Sequence, residues 1–147
     1  MKKGILIFAL MLTGFSYSFA RTTDGITKKA VESFNKEFSS ARNTTWENKG
    51  SYMIVTFSMN SQIMFAYYGN NGELIGVARN ILSDKLPISQ LISLKKNYSD
   101  YWISNLFEVS MDNDTTYYVT LENADQKLVL KSSDYTGWEV YSKEEKQ

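Results

Sequence analysis

The chain has 147 residues, with 16 basic residues balanced by 16 acidic ones and no cysteine or histidine. Without thiol or imidazole, Ser-His-Asp and Cys-His nucleophilic catalysis is excluded, along with nearly every zinc or copper site. A neutral chain also lacks the positive charge that supplies most nucleic-acid affinity, so no nucleic-acid partner is expected.

The N-terminus has the pattern of a secretory signal. Lys2 and Lys3 precede an unbroken apolar run, Ile5 to Leu12, and Ser18-Phe19-Ala20 puts small residues at the −3 and −1 positions of a cleavage site. Residues 1–20 are therefore expected to be removed, sending residues 21–147 to the periplasm or the medium as a single α+β domain. A membrane span needs about 20 apolar residues. Thr13, Ser16 and Ser18 interrupt this run and no second long apolar run follows, so no stable membrane insertion is expected after cleavage. The destination is oxidising, yet there is no disulfide to form. The fold must then hold by its core and its sheet, and an aromatic content of 14% favours sheet.

From Ile26 to Ala41, the residues Ile26, Ala30, Val31, Phe34, Phe38 and Ala41 recur at helical spacing, opposite Lys28, Lys29, Glu32, Lys36 and Glu37. This predicts an amphipathic helix capped by Asp24 or Thr27. Its polar face mixes both charges, which favours packing on a sheet over lying on a membrane. From Trp46 the period becomes two. "SYMIVTFSM", "QIMFAYY" and "ELIGVAR" predict an antiparallel meander turning at Asn60-Ser61 and at Gly69-Asn-Asn-Gly72. A strand follows the second turn where a phosphate-binding loop would have a helix, so it is expected to be a hairpin corner.

Leu86-Pro87 marks a stop, and Ile88, Leu91, Ile92 and Leu94 predict a short second helix with one apolar face. "WISNLFEVSM", "TTYYVTLE", "KLVLKS" and "GWEVYS" then predict four strands, with turns at Asp112-Asn-Asp114, near Asn123-Ala-Asp125 and around Thr136-Gly137. "MDNDTT" lacks the Gly and the distal Glu of an EF-hand and is expected to be a solvated turn. Tyr52–Phe57 is similar to Tyr117–Leu121, and Gly72-Glu-Leu-Ile to Gly137-Trp-Glu-Val. A tandem α-β-β-β repeat is expected, with halves 21–80 and 87–147.

If Met53, Val55 and Phe57 face the helices, then Tyr52 and Ile54 face outward, with Met64, Tyr68 and Tyr118 expected beside them. Such a face of Tyr, Ile and Met suits an unidentified protein or peptide partner. No catalytic residue, metal site or cofactor is expected. Two other functions stay open. A small-ligand carrier or sensor would need an enclosed pocket of about 300 Å³ or more. A carboxylate hydrolase would need two converging acids, with Glu47, Glu73, Glu108 and Glu122 as the candidates.

The order of these features resembles a bacterial secreted family, the PepSY-like or β-lactamase-inhibitor-like (BLIP-like) proteins. The likeness rests on the helix ending at Phe38, Trp46, Tyr52 to Phe57, "AYYGNNGELIG", Arg79, Leu86-Pro87, Tyr98 and Ile103. It implies a curved antiparallel sheet built from tandem α+β repeats, with helices on one side, in a periplasmic or secreted protein. In the β-lactamase inhibitor proteins a concave sheet grips the enzyme, and the resemblance implies an inhibitor-like, non-enzymatic role.

Overall fold

The structure is a computed structural model and describes residues 24–133 and 137–147. The expected signal segment and part of the turn around Thr136-Gly137 lie outside the described residues. Eight antiparallel strands form one open sheet in which spatial order follows chain order. Helix α1 (Lys28–Glu37) precedes β1 (Arg42–Asn48), β2 (Tyr52–Met59), β3 (Gln62–Gly69) and β4 (Leu74–Asn80). A 3-10 turn (Ser83–Lys85) leads to α2 (Ile88–Asn97), then β5 (Trp102–Met111), β6 (Asp114–Glu122), β7 (Gln126–Ser132) and β8 (Glu139–Glu145). The fold is α+β, a curved antiparallel sheet with both helices on one face.

Strand β1 was not anticipated. Its sequence, RNTTWEN, turns only Trp46 toward the apolar core, and its first four residues are exposed. A polar edge strand gives no alternating signal.

Local chemistry sets each boundary. The Thr27 hydroxyl accepts from the Ala30 N–H at 3.3 Å and caps α1. Leu86 is extended (ψ 148°) before Pro87, which opens α2. Asn60-Ser61 and Asp112-Asn113 have φ between 51° and 67°, so both loops take the primed turn that matches strand twist. At the Gly-Asn-Asn-Gly corner, Gly69 N–H donates to Glu73 O and Gly72 N–H to Gly69 O, both at 2.9 Å. Gly72 has φ +83°, and a Cβ there would lie 2.7 Å from Lys29 Cβ. The corner is thus a hairpin turn pressed against the start of α1.

The two halves repeat in detail. Phe38 N–H donates to Phe34 O and Ala41 N–H to Phe38 O, and Tyr98 and Tyr101 make the matching bonds after α2. The first strand of each half bulges at the same place, between Arg42 and Thr45 and between Ile103 and Asn105. Each half has four strands, one more in the first than its sequence pattern suggested. They join where β4 pairs with β5 over Val77–Asn80.

Each helix covers its own core. Ala30 and Phe34 of α1 pack on Met53, Val55, Phe57, Ala66 and Tyr68. The Phe34 ring meets Phe57 and Trp46 edge-on at 5.0 and 5.5 Å. Leu94 and Leu91 of α2 pack on Leu106, Val119, Leu121, Leu128 and Leu130. The sequence grouped Ile88 and Ile92 with that face, but both point to solvent, at 76% and 58% exposure. Gln90 and Leu94, four residues apart, take the buried stripe instead.

Candidate functional site: the helix-free face

The residues expected to form one outward patch separate onto opposite faces. Directly opposed residues of an antiparallel pair share a face. Met53 lies opposite Tyr68, and Phe57 opposite Met64. Met64 and Tyr68 are therefore on the helix side with Met53 and Phe57, a correction to the expected contact set. Tyr68 is fully buried beneath α1, its ring 6.4 Å from that of Phe34, and Met64 is half-buried against the same cluster.

Tyr52, Ile54 and Tyr118 do lie on the helix-free face, with partners from both halves. Tyr52, Tyr67, Phe107, Val109, Tyr118 and Val129 form one cluster there, flanked by half-buried Ile54, Phe65, Ile75 and Tyr141. Three ring pairs run across it. Tyr52 and Tyr67 lie 6.3 Å apart, Phe65 and Phe107 6.1 Å, and Tyr118 and Tyr141 5.5 Å, the last two edge-on.

Among the described residues no helix covers this cluster, yet Tyr52 is only 5% exposed and Tyr118 7%. Large rings from neighbouring strands pack against one another on this face and screen each other from water. An open, solvated tyrosine surface was expected. A filled face is found, with Ile54, Phe65 and Tyr141 as its accessible layer and Ile63, at 59% exposure, beside them.

Electrostatics follow burial. Desolvation raises the phenol of Tyr67 far above its ordinary value, with smaller contributions from neighbouring Tyr52 and Glu47. Burial pushes Tyr118 up to about 12. Tyr52 is raised by the same cause, opposed by Lys49. The hydroxyls of Tyr52 and Tyr67 are buried without a hydrogen-bond partner.

Three of the four candidate acids are each paired with a base. Glu47 pairs with Lys49 at 2.6 Å, Glu108 with Arg79 at 2.7 Å and Glu122 with Lys146 at 2.8 Å. Hydrogen bonds from Lys146 and Ser104 hold Glu122 below the usual carboxylate range, the wrong direction for a general acid. Among the described residues no acidic cluster could hold a metal, and no helix is long and apolar enough to cross a membrane.

A cleft of about 180 Å³ lies on the helix side at the joint between the halves, lined by Met64, Val77, Ala78, Arg79, Glu108 and Ser110. It is smaller than the ~300 Å³ of typical small-molecule sites. An ion pair already fills its polar part.

The face assignment was recoverable from the sequence. Stepping outward symmetrically from a two-residue turn at Asn60-Ser61 sets Met64 opposite Phe57 and Tyr68 opposite Met53. Phe107 and Val109 carried no such signal, because their place beside Ala78 depends on the long connection between β4 and β5.

No protein-family model and no curated protein matches this chain. Solved structures do resemble it. A DUF2874 family protein from Bacteroides uniformis ATCC 8492 superposes with a TM-score of 0.72 at 16% identity, over 82% of this chain and 89% of its own. A protein provisionally described as periplasmic, from Bacteroides eggerthii DSM 20697, gives 0.72 at 14% identity over 81% and 88%. A BLIP-like protein from Bacteroides fragilis NCTC 9343 gives 0.68 at 16% identity over 81% and 85%. The BLIP-like fold is shared.

Proposed function

We propose that this protein is an exported, non-enzymatic binding module of the BLIP-like and PepSY-like kind. It engages a protein or peptide through the helix-free face of its sheet. Residues 1–20 act as the export signal, and residues 21–147 work in the periplasm or the medium.

One observation carries this reading: aromatic side chains from both halves gather on the sheet face that no helix among the described residues covers. Rigid rings bury large area at little entropic cost, which is why aromatics dominate the centres of protein interfaces. Here Ile54, Phe65 and Tyr141 make the contact, while Tyr52 and Tyr118 stiffen it from beneath. The likeness to a BLIP-like protein supports the reading through fold alone.

The test is quantitative capture of partners from an envelope extract. The native chain is compared with Phe65→Ala and Tyr141→Ala, and each variant's thermal midpoint is recorded. Loss of one specific partner by folded variants is the expected result. A partner captured equally by all three chains, or none enriched over an unrelated bait, would overturn it. N-terminal sequencing of the exported protein tests the signal, with Arg21 as the expected first residue.

A further inference from the structure

The repeat provides an internal comparison for its two helices. Each is ten residues long, and Phe34 of α1 corresponds to Leu94 of α2 by burial and by the bond each accepts after the helix. In that alignment Lys28 and Glu32, on the outer face of α1, correspond to Ile88 and Ile92. Lys28 and Glu32 are exposed and paired at 3.6 Å, an ordinary solvated helix face. Ile88 and Ile92 stand in the same two places, and most of each side chain is in water.

The rest of the outer face of α2 is basic. Lys95 and Lys96 follow Ile88 at i+7 and i+8, so helical spacing puts them on the same side, and both are exposed. The helix, ISQLISLKKN, has no acidic residue. Leu82, at 72% exposure, and Lys85 precede it, with Asp84 beside Lys85 at 4.0 Å.

We propose that the outer face of α2 docks peripherally on a lipid bilayer carrying anionic headgroups. Ile88 and Ile92 enter the boundary between headgroups and acyl chains, and Lys95 and Lys96 meet the phosphates. Charge complementarity selects this occupant, because the face is apolar and cationic with no acid in the helix. A second copy fits less well. Three aliphatic side chains expose roughly 300 Å², well under the ~800 Å² per partner of a stable dimer. A bilayer needs no complementary groove, and this helix offers a convex surface. Both helices lie on one side of the sheet, so docking by α2 leaves the helix-free face pointing away from the lipid. The proposal does not depend on what that face binds.

The experiment is co-sedimentation with vesicles of phosphatidylethanolamine and phosphatidylglycerol, and with vesicles of phosphatidylcholine alone. Because Ile5–Leu12 is itself apolar, the full chain is compared with the same chain carrying Ile88→Lys and Ile92→Glu, which reproduces the α1 pair. The expected result is a more than about tenfold lower partition of the variant onto anionic vesicles, with its thermal midpoint unchanged. Lys95→Gln with Lys96→Gln should remove most of the salt dependence of binding. Equal partition of both chains, or no preference for anionic vesicles, would overturn the proposal. So would a dimer of the native chain, seen by light scattering, that Ile88→Lys and Ile92→Glu dissociates without any change in vesicle binding.

Discussion

Gly72 and Gly50 form a controlled pair for asking what the Gly-Asn-Asn-Gly corner contributes. Their backbones are nearly the same, with φ +83° and +84°. A Cβ at Gly50 would meet nothing within 4 Å. At Gly72 it would lie 2.7 Å from Lys29 Cβ, 2.9 Å from Lys29 C and 3.0 Å from Lys29 O. Placing alanine in the left-handed region costs about 1–2 kcal/mol, offset by roughly 0.4–1 kcal/mol from restricting the unfolded chain. Gly50→Ala should therefore lose about 1 kcal/mol. Gly72→Ala carries the same loss plus an overpacking cost of about 1–3 kcal/mol, because the atoms met are the Cβ and the backbone C and O of Lys29 in α1, which are fixed by the helix and cannot swing aside. Urea unfolding of both variants beside the native protein measures the gap directly. The expected thermal midpoint for Gly72→Ala lies ~5–15 °C below that of Gly50→Ala. Losses equal within about 0.5 kcal/mol would show that the corner does not bear on the helix and would refute the reasoning.

Gln90 is 1% exposed with both side-chain amide atoms unpartnered, where α1 has Ala30. Gln90→Met keeps the volume and should stabilise by about 1–2 kcal/mol, read as a higher urea midpoint at constant slope. Tyr68→Phe deletes a buried, unpaired hydroxyl and should be neutral or stabilising, whereas Tyr68→Ala should cost ~3–5 kcal/mol through the cavity it leaves under α1. Ser61 sits at φ 62° in a primed turn, and Ser61→Gly should add about 0.5–1 kcal/mol in thermal unfolding. The tyrosines predict alkaline instability. Burial raises Tyr118 to about 12 in the folded state, against about 10 unfolded. Its contribution is complete below about pH 10 and is lost as pH rises toward 12, since the unfolded chain releases the proton first. Tyr67 and Tyr68 shift in the same direction by desolvation. Absorbance at 295 nm, followed with the urea midpoint, should show a late phenolic step and falling stability. A single step near pH 10 at constant stability would contradict the assignment.

Hairpins were the most legible part of the sequence, because a two-residue turn such as Asn60-Ser61 is encoded locally and each flanking strand alternates. Helix positions were legible from Thr27 and Pro87. The outward direction of Ile88 and Ile92 was not, since Leu91 and Leu94 fit the same apolar stripe and only packing against Leu106 and Leu130 selects between them. The polar edge strand β1 gave no periodic signal. Tyr52, Ile54 and Tyr118 were correctly set on one face, but their burial depends on rings contributed by neighbouring strands, which no single strand encodes. Met64 and Tyr68 changed sides because their face is a matter of register.

The match between spatial order and chain order also bears on how the chain assembles. Every strand finds its partner in a sequence neighbour, so no crossover must be completed before pairing begins. Loop closure stays inexpensive at each step, because each strand pairs with its immediate neighbour in the chain. The least local step is the β4–β5 junction, which spans the 3-10 turn and α2 and closes over only Val77–Asn80. Hydrogen exchange should therefore separate the two halves into cooperative units that open at this junction, and two copies that open there can exchange halves through the same four pairs.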